Sequence, residues 1–222
     1  MNAKRIELHP VSPQPRLVDV VVDALRAKAV IAYPTSSGYA LGCSLTNQDG
    51  VERIRRIRRL DAKQDFTLMC ASISDASNYA KIDNSVFTML KRLDTEKYTF
   101  LLKATNELSK KIHSKRGTIG IRLASSPAIT AVLETLGEPI LSTSLLVPTG
   151  DSPSSARVHE GFTRGLEVES FSTAYDVEEA LGGVIDVVVD LGESTDTEPT
   201  TVLDLVGDEP VLIRQGQGEF LE

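Results

Sequence analysis

Val30-Ile31-Ala32-Tyr33-Pro34-Thr35-Ser36-Ser37-Gly38-Tyr39-Ala40-Leu41-Gly42-Cys43 decides how the rest of the chain is read. Its first residues are short and apolar, as a buried strand requires. At Pro34 it breaks into three hydroxyls and a glycine. A strand that empties into such a loop leaves side-chain and backbone donors at its carboxyl end, where open α/β sheets bind ligands. Read locally, the same loop is equally an ordinary turn between two elements.

On the amino-terminal side, Leu17, Val18, Val21, Ala24 and Leu25 recur at helical spacing from Pro15 to Lys28, with Pro15 tolerable in a first turn. Residues 8–14 read as an extended lead-in. On the other side, Asp49 and Glu52 have the form of a capping box. The helix they open buries Val51, Ile54, Ile57 and Leu60 and carries Arg53, Arg55, Arg56, Arg58 and Arg59 on the remaining surface. A run of arginines is usually a solvated face. Here it is a local reversal of sign in an acidic chain, and it directly follows the hydroxyl loop.

Further strands are expected at Phe66–Cys70, Tyr98–Ala104, Thr118–Leu123, Pro139–Leu146, Val184–Asp190, Thr200–Leu205 and Val211–Arg214. Helices are expected at Ser72–Ala80, Ser85–Leu93, Ser126 to Gly137 and Asp176–Leu181. Ser126-Pro127 makes a clean start and Gly137 a stop, and an Asp-x-x-Glu cap opens the last of them. A basic segment, Lys110 to Arg116, lies between two strands. Residues 150–175 lack a period and read as a mobile loop or lid. Strands alternating with helices imply one α/β domain over residues 1–222, a mixed open sheet with helices packed on it.

With 41% hydrophobic and 25% charged residues the composition is that of a globular domain. No apolar run approaches a bilayer span, and the charged start has no apolar region behind it, so neither a membrane nor a secretory signal is expected. Cys43 and Cys70 read as buried thiols in a reducing cytoplasm. Three histidines, none close to a cysteine, offer no zinc site, and no metal is expected on the protein itself. The net charge of −7 argues against a protein that coats nucleic acid indiscriminately, yet leaves room for a local basic groove.

The chain lacks a P-loop, a dinucleotide-binding glycine fingerprint and a Gly-x-Ser-x-Gly elbow. What remains is hydroxyls and cations at strand ends: Thr35, Ser36, Ser37, Arg58, Lys63, Arg122, Ser142, Ser144, Thr200, Thr201 and Arg214. Guanidinium groups neutralise phosphates and hydroxyls bond the remaining oxygens, an inventory that suits a polyanion. Phosphoryl and nucleotidyl transfer ask the protein mainly for positioning and charge stabilisation.

Tyr-Pro-Thr-x-x-x-Tyr-x-Leu-Gly-Cys from Tyr33 to Cys43 and the Glu-Arg-Ile-x-x-Ile-Arg helix from Glu52 to Arg58 together resemble the YrdC/YciO family. So do Gly120-Ile121-Arg122, Gly137 to Ser144, Pro199 to Asp204 and Arg214-Gln215-Gly216. The spacing holds over about residues 8–217. Residues 66–70 and 141–145 are most similar to the YciO branch. The resemblance implies a twisted open sheet with a concave basic cleft, double-stranded RNA binding, and relatives that are threonylcarbamoyl-AMP synthases. Those enzymes join L-threonine, bicarbonate and ATP, the last accompanied by Mg2+, and release pyrophosphate in the service of tRNA modification.

Carried over by the resemblance, Thr35, Tyr39 and Arg122 hold the substrate, Arg122 pairing with phosphate or carboxylate. Arg58, Ser144, Thr201 and Arg214 hold the nucleotide, and the inventory of strand-end hydroxyls and cations adds Lys63 and Ser142 to that nucleotide set. Arg58 stands at the lysine of a Lys-x-Arg motif and Ser144 at the serine of a Ser-x-Asn motif. The partners of both are lost, to Leu60 and Leu146. Losing a guanidinium and an amide costs about 2–4 kcal/mol of transition-state stabilisation each. Two readings follow: a nucleotide-dependent enzyme of threonylcarbamoyl chemistry, its synthase motifs partly lost, or a hydrolase of the adenylate or of modified tRNA; and a non-catalytic module that clasps double-stranded RNA or tRNA. In the second, Arg53, Arg55, Arg56, Arg59 and the Lys110 to Arg116 segment meet the phosphates.

Overall fold

The computed structural model describes residues 2–60, 66–106, 108, 117–124, 126–148 and 168–220. One mixed sheet takes ten strands in the order β1 (Lys4–Glu7), β10 (Val187–Asp190), β2 (Ile31–Thr35), β3 (Gly38–Ser44), β7 (Ile140–Ser144), β4 (Thr67–Cys70), β6 (Thr118–Leu123), β5 (Tyr98–Lys103), β11 (Thr201–Asp204) and β12 (Val211–Arg214). A second, two-stranded sheet pairs β8 (Leu146–Pro148) with β9 (Val168–Ser170).

Strict alternation sorts side chains to the two faces. On one face Ile6, Ile31, Tyr33, Met69, Ile140, Val187 and Val189 pack under helices α1 (Pro15–Arg26) and α5 (Pro127–Leu136). On the other, Ala32, Leu41, Leu68, Phe100, Ile121, Leu141 and Val188 pack under α2 (Gln48–Arg58), α3 (Ile73–Ala76), α4 (Asn84–Arg92) and α6 (Ala174–Leu181). The sheet is therefore the middle of three layers, with a core on each side.

The deciding stretch folds differently from the expectation. Pro34 does not end the strand. β2 and β3 form a hairpin in register from Ile31↔Gly42 to Thr35↔Gly38, with Ser36-Ser37 as the tip. Proline is excluded only where its missing N–H is needed. The other neighbour of β2, β10, registers with Ile31 and Ala32 alone, so Pro34 lies beyond that ladder.

The expected caps also shift. Asn47, not Asp49, caps α2: its side chain accepts from the Gly50 amide at 2.9 Å and donates to the Lys28 carbonyl at 2.7 Å. Thr173, not Asp176, caps α6, which starts at Ala174. Of the expected loop at 150–175, Val168–Ser170 is strand and α6 begins inside it; residues 150–167 lie outside the described residues. The Ser126 and Gly137 stops stand as read, Gly137 taking a left-handed φ of 78° that a side chain would strain. Asn47→Ala is expected to cost about 1–2 kcal/mol in urea unfolding. Asp49→Ala, acting through the helix dipole alone, should cost about 0.5 kcal/mol.

No helix among the described residues is long and apolar enough to cross a membrane.

Candidate functional site

Ladder register places Thr35, Thr67, Arg122, Ser142, Ser144 and Arg214 on the face that α1 and α5 cover in part. At its centre Tyr33, wholly buried, donates to Ser142 Oγ at 2.6 Å. Burial pushes the Tyr33 phenol up to about 12 against the opposing pull of Ser142 and Arg122. It is a hydrogen-bond donor at neutral pH.

The hairpin tip closes over this face. Arg122 Nη2 donates to Ser37 Oγ at 3.0 Å and to Ser36 Oγ at 3.3 Å. Ser36 Oγ donates to the Glu96 carbonyl at 2.6 Å, in the 3-10 turn Thr95–Lys97 that precedes β5. Three strands separate β2 from β6 in the sheet. Contact between their ends requires the hairpin tip and the sheet to bend toward this face, which makes it concave.

Arg122 is only 6% exposed, and its Nε has no hydrogen-bond partner. Burial lowers its pKa to about 10, and the like charge of Arg214 adds to the depression. Among the described residues no carboxylate pairs with it. A buried cation without an acid is costly, and an anionic ligand removes the cost. Arg214 anchors through Nε and Nη2 to the Thr200 carbonyl, at 3.0 and 2.7 Å, and its pKa is likewise lowered by burial. Thr200 Oγ1 in turn meets Thr99 Oγ1 at 2.8 Å.

Arg58 approaches from the opposite side. It rides on α2 and turns its guanidinium onto the end of β7: Nε to the Leu146 carbonyl at 2.6 Å, Nη1 to Thr143 Oγ1 at 3.0 Å and to the Ser144 carbonyl. The segments that carry Arg58 and Ser144 thus meet, but through main-chain carbonyls and the Thr143 hydroxyl rather than the Ser144 hydroxyl. At 5% exposure its pKa is lowered by burial to about 10.

Thr35 and Tyr39 do not share a face. Thr35 Oγ1 donates to the Gly38 carbonyl at 2.7 Å on the concave side. Tyr39, opposite Pro34 in the hairpin, lies in the other core with its hydroxyl on the Val189 carbonyl at 3.3 Å. Burial and Asp190 raise its pKa. Thr201 is wholly buried, and its hydroxyl binds the amides of Gly216 and Gly218 and donates to the Gly218 carbonyl at 2.5 Å. Lys63 and the basic segment from Lys110 to Arg116 lie outside the described residues.

The arginines of α2 are not one uncommitted surface. Arg53 forms an ion pair with Asp186, whose Oδ2 also accepts from the Val30 amide. Arg55 lies over the Phe66 ring at 5.1 Å and 3.6 Å from Glu52. Arg56 and Arg59 are exposed. Both cysteines are buried, with thiols held up by burial, Cys43 to about 12, so neither is a nucleophile at neutral pH.

The signals that sequence reading passed over are the Glu96 carbonyl, the Tyr33 hydroxyl and Gln217. Only the last had a visible cue, a polar residue between two glycines shortly after the last strand.

The family model Sua5/YciO/YrdC, described as telomere recombination, matches residues 23–216. The chain belongs to this family. It is 40% identical over 213 residues to the YciO protein of Escherichia coli, covering 96% of this chain and 95% of that one. The crystal structure of E. coli YciO matches with a TM-score of 0.82 at 38% identity, over 98% of this chain and 97% of that one. A threonylcarbamoyl-AMP synthase of Hydrogenovibrio crunogenus is 28% identical over 128 residues, 56% of this chain and 68% of the synthase. P. abyssi Sua5, solved in complex with L-threonine, shares the fold with a TM-score of 0.76 at 22% identity, over 96% of this chain and 57% of its own. The Sua5/YciO/YrdC chain described here is thus a relative of threonylcarbamoyl-AMP synthases with a mixed, open ten-stranded sheet.

Proposed function

We propose that the concave face binds an adenosine nucleotide with its anionic end on Arg122, in the threonylcarbamoyl-adenylate chemistry of the family. The observation that carries this is the buried Arg122 guanidinium, with its open Nε and no carboxylate partner among the described residues, beside a second guanidinium, Arg214. Two cations in a low-dielectric hollow suit a phosphate or carboxylate far better than water. L-threonine and bicarbonate are the co-substrates this reading brings with it, and tRNA the end user. The described residues contain no cluster of three or more His, Cys, Asp or Glu, so they offer no carboxylate cage. An accompanying Mg2+ would be held chiefly by the nucleotide's own phosphates.

Calorimetry with ATP, AMP and threonylcarbamoyl-AMP tests the reading. Saturable heat, with AMP competing, is expected; no heat from any of the three overturns it. Product analysis then separates the enzyme classes: pyrophosphate from ATP, threonine and bicarbonate marks synthesis, and AMP released from threonylcarbamoyl-AMP marks hydrolysis.

A second reading, binding of double-stranded RNA or tRNA, is favoured by the exposure of Arg56 and Arg59 at the last turn of α2. Arg53 is committed to Asp186 and Arg55 lies over Phe66, so Arg56 and Arg59 are the exposed arginines of the cluster that this reading places against phosphate. Changing both to Ala is expected to reduce the slope of log affinity against log salt by about two. Filter binding between low and moderate salt measures it, and an unchanged slope removes the helix from the interface.

A further inference from the structure

After β12 the chain does not leave the sheet but crosses back as an arm, residues 215–220. Three contacts fix it. The Thr201 hydroxyl binds the amides of Gly216 at 2.9 Å and Gly218 at 3.0 Å. Tyr98 OH donates to the Glu219 carbonyl at 2.8 Å. A Cβ on Gly216 would strike the Pro199 and Thr200 main chain, so the arm lies directly against the lead into β11. From this seat Gln217 extends its amide, and Nε2 donates to the Ser36 carbonyl at 2.7 Å and to the Glu198 carbonyl at 2.8 Å.

Ser36 is thereby gripped from three directions: its carbonyl by Gln217, its hydroxyl by the Glu96 carbonyl and by Arg122. Ser36 and Ser37 are the only hydrogen-bond partners of Arg122 among the described residues. Where those hydroxyls stand decides where the guanidinium points its remaining donors. We propose that Gln217 is a positioning residue of the candidate site. By clamping the hairpin tip, it aims Arg122 at the ligand and couples occupancy of the concave face to attachment of the arm. The coupling rests on the nucleotide reading above; the clamp itself does not.

Linkage makes the coupling reciprocal. A ligand that fixes Arg122 and the serines must slow opening of the arm, and loosening the arm must weaken the ligand. Gln215 provides the contrast. Its amide bonds the carbonyls of Gly216 and Gly218 at 2.9 and 2.6 Å within the same arm and reaches Thr201 Oγ1 at 3.5 Å, and among the described residues no hydrogen bond joins it to the hairpin. Gln217→Ala and Gln215→Ala thus both remove arm contacts, and only the first removes the link to the site.

Amide hydrogen exchange and calorimetry on the full chain, with ATP as probe, test this. In the ligand-free protein, Gln217→Ala is expected to speed exchange at the Ser37 and Tyr39 amides severalfold, and Gln215→Ala to leave them unchanged. With saturating ATP, the wild-type chain should gain protection at the Gly216 and Gly218 amides. In Gln217→Ala the gain should stay confined to the hairpin, with affinity down about three- to tenfold, the effect of one or two neutral hydrogen bonds. Equal effects of the two variants on hairpin exchange or on affinity overturn the positioning role. Wild-type binding without protection of the arm overturns the coupling while leaving the nucleotide reading intact. An absence of any ATP binding removes that reading and the coupling together, and the ligand-free exchange then still decides the clamp. Because the wild-type protection pattern needs no variant, a poorly folding Gln217→Ala does not remove the test.

Discussion

Arg122→Met is expected to weaken nucleotide binding about a hundredfold, as loss of one or two hydrogen bonds to a charged group implies, without lowering the stability of the free protein. Both halves follow from the same geometry. The guanidinium is 6% exposed, bonded to two serine hydroxyls, open at Nε and without a carboxylate among the described residues. An apolar side chain of similar length in place of a buried unpaired ion is typically neutral or stabilising. Calorimetry reads the first half and thermal unfolding the second. A variant that melts several degrees lower and binds as before would make Arg122 a structural residue.

The pH dependence has a definite sign. Burial depresses Arg122 from 12.5 to about 10, and Arg58 equally. A base whose folded pKa lies below its unfolded one penalises folding wherever it is protonated in both states. That penalty is constant below about pH 10 and fades only as pH climbs from 10 toward 12.5. Both groups thus stay charged throughout the neutral range. The stabilisation that ATP confers should therefore not fall between pH 6 and 9 through any titration of these arginines. Thermal shift across that range measures it.

Thr201→Val, nearly isosteric, is expected to cost about 3 kcal/mol. The hydroxyl is wholly buried and serves the Gly216 and Gly218 amides at once. Valine strands both donors, at about 1–3 kcal/mol each. The measurement is urea unfolding, and nucleotide affinity should follow only as far as the arm loosens. A change in affinity with stability untouched would instead make Thr201 a direct ligand.

The strands at Thr118–Leu123 and Val211–Arg214 were legible residue for residue, because turn-forming residues bound them closely. β1 was not: of Lys4–Glu7 only Ile6 is buried, too little to print a period on the sequence. The hairpin was misread at Pro34, since a proline's tolerance depends on whether a neighbouring strand needs its N–H, and that is tertiary information. Asn47 was missed as a cap because Asp49 and Glu52 imitate the motif two residues on. The site shows the same division. That hydroxyls and guanidiniums stand at strand ends was readable. That Arg122 shares the concave face while Arg58 comes from behind, and that Thr35 and Tyr39 part to opposite faces, follows from strand parity and helix placement. Side-chain type is silent on both.

The hairpin tip and Gln217 are 181 residues apart in the chain. During synthesis the first strands can emerge and pair long before residue 217 leaves the ribosomal tunnel. Until then Ser36 lacks one of its three anchors. The contact that completes the hairpin's anchoring is therefore among the last that the chain can make.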